Sequence, residues 1–312
     1  MNEKSIEQVA VIGAGLMGLG IAVEFARFGY PVRLYNTREA TSKRAMERAR
    51  DDLDLMVETE LMTAHEAEAA YNRLHPSTNL FETASGADYV IESVSELLYL
   101  KQGIFARLDE ICPPPAILAT NTSGLRVSDI ASMAKHPERI LATHYWQPPH
   151  FVPLVEVSGG ERTDREVMER VARLLRGLRK KVVVIDVELP AFIGNRLQGA
   201  IGREIRSLVD QGICSPTTID DVISFGFGRR MAYTGYFKRM DLIGLNFGYM
   251  SAKGRGQEPW GLVAERVERG ELGMKSGKGF YDWPGDTAKQ LHRLFNTELI
   301  RLMKQDMEEG AI

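Results

Sequence analysis

A chain of 312 residues, 44% hydrophobic and 26% charged, has the size and composition of a globular protein of about two domains with a sizeable core. Its formal net charge of −3 gives no general attraction to nucleic acid or an anionic membrane surface. No apolar run approaches the ~20 residues of a membrane span, residues 1–8 are too short and polar for a signal peptide, and Cys112 and Cys214 form neither a metal-ligand spacing nor a disulfide framework. The two cysteines read as small apolar residues, no metal is expected, and a reducing, cytoplasmic setting fits.

The first predicted elements lie in residues 9–38, VAVIGAGLMGLGIAVEFARFGYPVRLYNTR. The strand VAVI meets a helix through Gly13, Gly15 and Gly18, and that helix carries Ile21 and Phe25 and stops at Gly29. Gly13 permits a tight turn, Gly15 lets a pyrophosphate approach the backbone, and Gly18 lets helix and strand pack closely. With Leu16 and Met17 between them, these residues make a dinucleotide-binding turn in which the helix N-terminus favours an anion. The second strand, PVRLYN, ends at Asn36, where an acid would accept from an NAD ribose 2′-OH. Asn36 still hydrogen-bonds a hydroxyl, whereas Thr37 and Arg38 suit a 2′-phosphate. NAD is the expected cofactor, with NADP left open.

A long polar helical region follows from about Glu39 to Asn72. After it come the strand ADYVIESV, a helix through Phe105 and Leu108, and the strands AILATNTS, RILATHYW, PLVEVSGG and KKVVVIDV. Between the last two, Thr163 and Glu166 read as a capping box ahead of an apolar face of Val167, Val171, Leu174, Leu175 and Leu178. Strands alternating with helices predict an α/β fold, a doubly wound parallel sheet covered on both faces, over residues 1–186. Beyond Asp186 the strand pattern vanishes. Ile193, Leu197, Ile201, Ile205, Leu208 and Val209 form one helix stripe stopped by Gly212, and SPTTIDDVISFGFG follows as a capped helix. A helical domain is therefore expected over residues 187–312.

Three motifs fall at strand ends or just after, where doubly wound sheets bind ligands. They are ATNTSG with Ser123, ATHYWQPPHFVPLVEV with His144 and Glu156, and LPAFIGNR with Asn195. A histidine beside a carboxylate has its tautomer fixed and its imidazolium stabilised, which suits a general base in alcohol oxidation.

At these residues the chain resembles the L-3-hydroxyacyl-CoA dehydrogenase family. The resemblance covers nearly its whole length and includes VIESVSELLYLK, DLIGL around Asp241 and GMKSGKGFYDW from Gly273 to Trp283. It implies that His144 is the catalytic base with Glu156 as its partner. Ser123 and Asn195 would bind the substrate oxygen, Glu96 and Lys101 would lie near the nicotinamide ribose, and Gln147 would approach the nicotinamide. It also implies a homodimer, in which Gly199 and Gly202 let helices approach closely.

Two departures bear on the substrate. Where members acting on CoA thioesters carry a lysine-rich stretch, this chain reads RDDLDLMVETELM, whose acids would repel CoA phosphates; Lys43, Arg44 and Arg48 lie earlier on the segment. The family's His-Phe-Phe-Asn-Pro is replaced by His144, Tyr145, Trp146, Gln147 and Pro148. The chain thus leans toward relatives that oxidise small free 3-hydroxy acids or alcohols, such as gulonate, carnitine or pyridine-derivative dehydrogenases. Arg229, Arg230 and Lys238 are candidates to hold a substrate carboxylate. The alternatives are a 3-hydroxyacyl-CoA dehydrogenase and a noncatalytic dinucleotide-binding protein. A decarboxylating 3-hydroxyacid dehydrogenase would need a lysine where this chain has Asn195.

Overall fold

The computed structural model describes residues 6–312, and the chain divides after Ala200 into two compact units. The first is built on an eight-stranded sheet of order β3-β2-β1-β4-β5-β6-β7-β8. Its strands are β1 Val9–Ile12, β2 Val32–Tyr35, β3 Leu74–Ser77, β4 Tyr89–Glu92, β5 Ile117–Thr120, β6 Ile140–Tyr145, β7 Leu154–Gly159 and β8 Lys181–Ile185. Every residue of β1, β4 and β5 is buried, which explains why VAVI, YVIE and ILAT are continuous runs rather than alternations. Helices α1 Leu16–Arg27, α2 Glu39–Glu58, α3 Ala64–Tyr71, α4 Leu80–Ala84, α5 Leu98–Ile111, α6 Val127–Ile130 and α7 Arg165–Gly177 accompany it. Val9 and Val11 of β1 enter one core cluster with Phe25 and Leu34, while Ala10 and Ile12 enter another with Phe105 and Leu118. Successive side chains of a strand point to opposite faces, so two clusters mean that both faces are covered.

Three local expectations change. The polar region from Glu39 to Asn72 is two helices, because Thr63 and Glu66 form a capping box that starts α3: the Thr63 hydroxyl accepts from Glu66 N–H at 3.2 Å and the Glu66 carboxylate from Thr63 N–H at 2.7 Å. The box expected at Thr163 and Glu166 does not form. The Thr163 hydroxyl instead donates to the Ile140 carbonyl at 2.6 Å and accepts from Gly160 N–H at 2.8 Å, and the residue capping α7 is Asp164. Strand β3 has no signature in LHPS, since only Leu74 is buried; Pro76 is tolerated because β3 is the sheet's edge.

The sheet is parallel except where β7 runs antiparallel to β6. Residues 146–153 are too few for a parallel crossover, which needs a dozen or more. The resulting register sets His144 directly opposite Glu156.

The division between the units falls inside α8, Ile193–Asp210. Gly212 follows the helix with φ +68°, a left-handed conformation that glycine adopts without a Cβ penalty. In the second unit α9 Pro216–Asp221 is capped by the Ser215 hydroxyl, which accepts from Thr218 N–H at 3.1 Å. Then come α10 Gly228–Ile243, α11 Leu245–Gly254, α12 Gly261–Glu268 and α13 Thr287–Glu308. Asp241 is fully buried and accepts from the N–H groups of Phe280 and Tyr281 and from the Trp283 indole at 2.9–3.0 Å. This carboxylate ties DLIGL to GMKSGKGFYDW, and neither Gly279, which abuts the carboxylate, nor Gly273, which abuts the backbone of Asp241, has room for a Cβ.

Candidate active site

The turn between β1 and α1 meets the steric demands of a pyrophosphate site. Gly13 has φ +105° and a Cβ there would lie 2.6 Å from the Ser93 carbonyl oxygen. A Cβ on Gly18 would collide with the Gly13 carbonyl. Nothing stands within 4 Å of a Cβ built on Gly15, so the backbone is open on that side. No side chain caps the first turn of α1 at Leu16 and Met17, leaving N–H groups directed outward for an anion. These residues fit NAD.

Beyond β4, Glu96 gathers donors from the ATNTSG loop. Its carboxylate accepts from the Thr122 hydroxyl, from Ser123 N–H at 2.9 Å and from Gly124 N–H at 3.1 Å. Burial opposes its charge, but these donors and Lys101 outweigh it and hold its pKa below the ordinary carboxylate value. Lys101 stands beside Glu96. It is 1% exposed, with its ammonium 2.7 Å from Glu92 and 3.3 Å from Glu96, and Glu92 also accepts from the Thr120 hydroxyl at 2.7 Å. A buried ammonium is stable only when paired, and Lys101 is held by both carboxylates.

His144 Nδ1 lies 2.9 Å from Glu156 Oε2, with both side chains buried. An ionised carboxylate only accepts, so Nδ1 carries the proton and Nε2 keeps a lone pair. Burial again opposes the Glu156 charge, yet the bonds from His144 and from the Gly194 and Ile193 N–H groups, at 3.0 Å each, hold its pKa below the ordinary value. Asn195, in the first turn of α8, donates to the Ser123 carbonyl at 2.9 Å and sits 3.5 Å from His144 Nε2. The Ser123 hydroxyl lies 3.4 Å from Glu96. Ser123, His144, Glu156 and Asn195 thus converge within the first unit.

The side chain that sequence reasoning missed is Phe192, which stacks on the His144 ring at 4.6 Å between centroids and 13° between planes. Trp146 approaches the same ring at 5.4 Å. Ala191 and Phe192 have φ of +63° and +50°, a left-handed backbone that costs non-glycine residues energy. That bend delivers both the stacked ring and the two N–H groups held by Glu156.

A buried charge cluster fixes the link between β6 and β7. Lys180 Nζ donates to the carbonyls of Pro149 and Val152 at 2.6 and 3.2 Å and pairs with Glu24 of α1 at 2.9 Å. Arg27 bonds Glu24 and the His150 carbonyl. An acid inside the apolar run of α1 was the available sign of this clamp. Gln147, in the same link, is exposed.

Asn36 and Thr37 follow β2, where Thr37 N–H donates to Asn36 Oδ1 at 3.2 Å; Arg38 opens α2 and is exposed. In the second unit Arg229 is not available to a carboxylate ligand, because its guanidinium is bound through two nitrogens to Asp306. Arg230 has no ion pair among the described residues, and Lys238 lies 5.8 Å from the Tyr281 ring centre. Cys112 is buried, and burial pushes its thiol up to about 11. No cluster of three metal-ligating side chains exists among the described residues.

Residues 8–188 match the NAD binding domain of 3-hydroxyacyl-CoA dehydrogenase, and residues 192–283 match its C-terminal domain. A probable 3-hydroxybutyryl-CoA dehydrogenase of Bacillus subtilis is 34% identical over 91% of this chain and 99% of its own length. A 5-formyl-3-hydroxy-2-methylpyridine 4-carboxylate 5-dehydrogenase of Mesorhizobium japonicum is 30% identical over 92% of this chain and 94% of its own. The crystal structure of a 3-hydroxyacyl-CoA dehydrogenase from Archaeoglobus fulgidus superposes with a TM-score of 0.77 at 30% identity, covering 96% of this chain and 98% of that one. With the glycine turn and both matched domains, the chain belongs to the 3-hydroxyacyl-CoA dehydrogenase family and is an NAD-dependent oxidoreductase acting on a CH–OH group.

Proposed function

We propose that the protein oxidises the 3-hydroxy group of a small free hydroxy acid or alcohol, with His144 as general base. NAD, when bound, takes the hydride from the carbinol carbon. The Nε2 lone pair of His144 takes the hydroxyl proton, while Glu156 holds the ring's tautomer and offsets the charge that develops on it. Ser123 and Asn195 donate toward the substrate oxygen and orient it.

The observation that carries the substrate class is the charge of the α2–α3 pair. Asp51, Asp54, Glu58 and Glu60 are exposed, while two nearby bases are engaged: Arg48 with the Ala14 carbonyl at 3.3 Å and Arg50 with Glu68 at 2.7 Å. Lys43 and Arg44 are left against that acid band, which repels the phosphates of CoA. The named substrate of the Mesorhizobium relative is a small pyridine carboxylate. The second reading, a hydroxyacyl-CoA substrate, rests on the printed name of the Bacillus relative. Arg230 and Lys238 remain the candidates for a substrate carboxylate. Measuring kcat/KM with free 3-hydroxy acids and alcohols and with 3-hydroxybutyryl-CoA decides between the readings, and a hundredfold preference for the thioester overturns the first.

The protein acts as a homodimer in this proposal. Leu197, Phe247, Met250 and Met307 are each more than 60% exposed, apolar side chains that a symmetric interface would cover. Sedimentation showing only monomer at micromolar concentration contradicts it. No helix among the described residues is long and apolar enough to cross a membrane; the proposed setting is the cytoplasm.

A further inference from the structure

We infer that Glu188 is a positioning residue for the proposed reaction: its carboxylate latches the segment that carries Asn195 to the segment that carries Ser123, and so sets the two groups that meet the substrate oxygen. The inference rests on the roles proposed above for Ser123 and Asn195, and it adds a residue that acts through them rather than on the substrate.

Glu188 stands in the link between β8 and α8, seven positions before Asn195. Its side chain is 10% exposed, although Asp186, Val187 and Pro190 around it are exposed. One carboxylate oxygen accepts from Ser128 N–H at 2.7 Å. The other accepts from the Ser128 hydroxyl at 2.8 Å and from Nε and Nη2 of Arg126 at 3.1 and 2.9 Å. Arg126 and Ser128 follow Ser123 by three and five positions, where the ATNTSG loop runs into α6. The carboxylate thus gathers four bonds from the loop's exit, each strengthened by its charge.

The place of this latch gives it a function. The left-handed bend at Ala191 and Phe192 persists only where its surroundings fix it. Downstream of the bend, Glu156 holds the N–H groups of Ile193 and Gly194. Upstream of it, Glu188 holds the link against α6. The other hydrogen bond between the two segments among the described residues runs from Asn195 to the Ser123 carbonyl, a single neutral contact and weaker than the charge-assisted set at Glu188. A displacement of about 1 Å in a group that orients substrate costs up to about a hundredfold in rate. Fixing the upstream end of the link therefore fixes the geometry in which Asn195 and Ser123 meet the substrate oxygen.

The test combines NAD-dependent oxidation of 3-hydroxybutyrate and of 3-hydroxybutyryl-CoA, NADH binding by nicotinamide fluorescence, and amide hydrogen exchange of the unliganded protein. Glu188→Gln removes the charge and one accepting oxygen. It should lower kcat about tenfold, keep the Kd for NADH within about twofold of wild type, and raise exchange in residues 121–132 and 186–196. Glu161→Ala should change neither rate nor exchange, because that exposed carboxylate pairs with Arg126 at 3.0 Å without touching the link. In an Asn195→Ala background the further loss from Glu188→Gln should shrink to less than about twofold, the non-additivity of residues that act through one another. Full rate in Glu188→Gln overturns the inference, as does a tenfold loss repeated in the Asn195→Ala background or a fall in NADH affinity that matches the fall in kcat. Unchanged exchange in both segments overturns it whatever the substrate. Full rate in Asn195→Ala instead removes Asn195 from the proposed chemistry, and the inference falls with it.

Discussion

His144 and Glu156 are separated by twelve positions in the chain, yet stand directly opposite each other across β6 and β7 with their side chains 2.9 Å apart. Neither ring nor carboxylate touches the glycine turn, so their loss should leave dinucleotide affinity in place. His144→Ala is expected to lower kcat by ~10²–10⁴, the usual contribution of a general base, with NADH binding within twofold of wild type. Glu156→Gln should lose less, and the double variant should be no slower than His144→Ala alone, because the two act as one unit. Near-native turnover by His144→Ala would remove the ring from the proposed chemistry.

Lys180 and Glu24 form a buried pair that also holds two carbonyls of the β6–β7 link. Lys180→Met leaves the buried Glu24 carboxylate with Arg27 alone and two link carbonyls without their donor, and should cost about 3 kcal/mol in urea unfolding. Adding Glu24→Gln should recover part of that loss. The exposed pair Arg165–Glu169 is the control, and Arg165→Ala should leave the unfolding midpoint in place.

His150 links this clamp to pH. Its buried ring faces Asp52 of α2 at 3.6 Å, with Glu24 and Arg27 of α1 and Lys180 close by. Burial, helped by Arg27 and Lys180 against Asp52, lowers its pKa below the ordinary histidine value. The folded state then resists a proton that the unfolded chain accepts. Stability from this group is full above about pH 6.5 and declines as pH falls from there toward the lower folded value. Unfolding free energies at pH 7.5 and 5.5 should differ more for wild type than for His150→Gln. Equal differences would show that His150 is not the responsible group.

The bend at Ala191 and Phe192 offers a test of strain and stacking together. Ala191→Gly removes a left-handed alanine costing roughly 1–2 kcal/mol, but frees the unfolded chain by about 0.4–1, so a net gain in stability of between about 0 and 1.6 kcal/mol is expected. Phe192→Leu keeps an apolar filler and loses the flat stack on His144. It should lower kcat while dinucleotide affinity stays near wild type, with Phe192→Tyr restoring much of the rate. A drop in NADH affinity matching the drop in kcat would mean that Phe192 supports the fold at large.

Much of this site is written locally, and the remainder depends on strand register. The glycine turn is legible because Gly13, Gly15 and Gly18 stand at a distinctive spacing between a strand and a helix, although the carbonyl that excludes a side chain at Gly13 belongs to the distant Ser93; Ser123, His144, Glu156 and Asn195 likewise each stand in a distinctive motif. The burial of Lys101 is not legible from sequence, since a lysine carries no sign of it until Glu92 and Glu96 are seen to close over it. Phe192 is hidden for a related reason: PAFIGNR marks a helix start, but only the left-handed bend turns that ring onto the histidine. The false capping box at Thr163 has the correct spacing, yet a sheet carbonyl competes for the same hydroxyl. LHPS becomes a strand only because β2 is there to pair with it.

Every hydrogen bond that joins Ser123, His144, Glu156 and Asn195 is made among residues before Ala200. Heritable change in residues 201–312 can therefore accumulate without reopening any of those bonds.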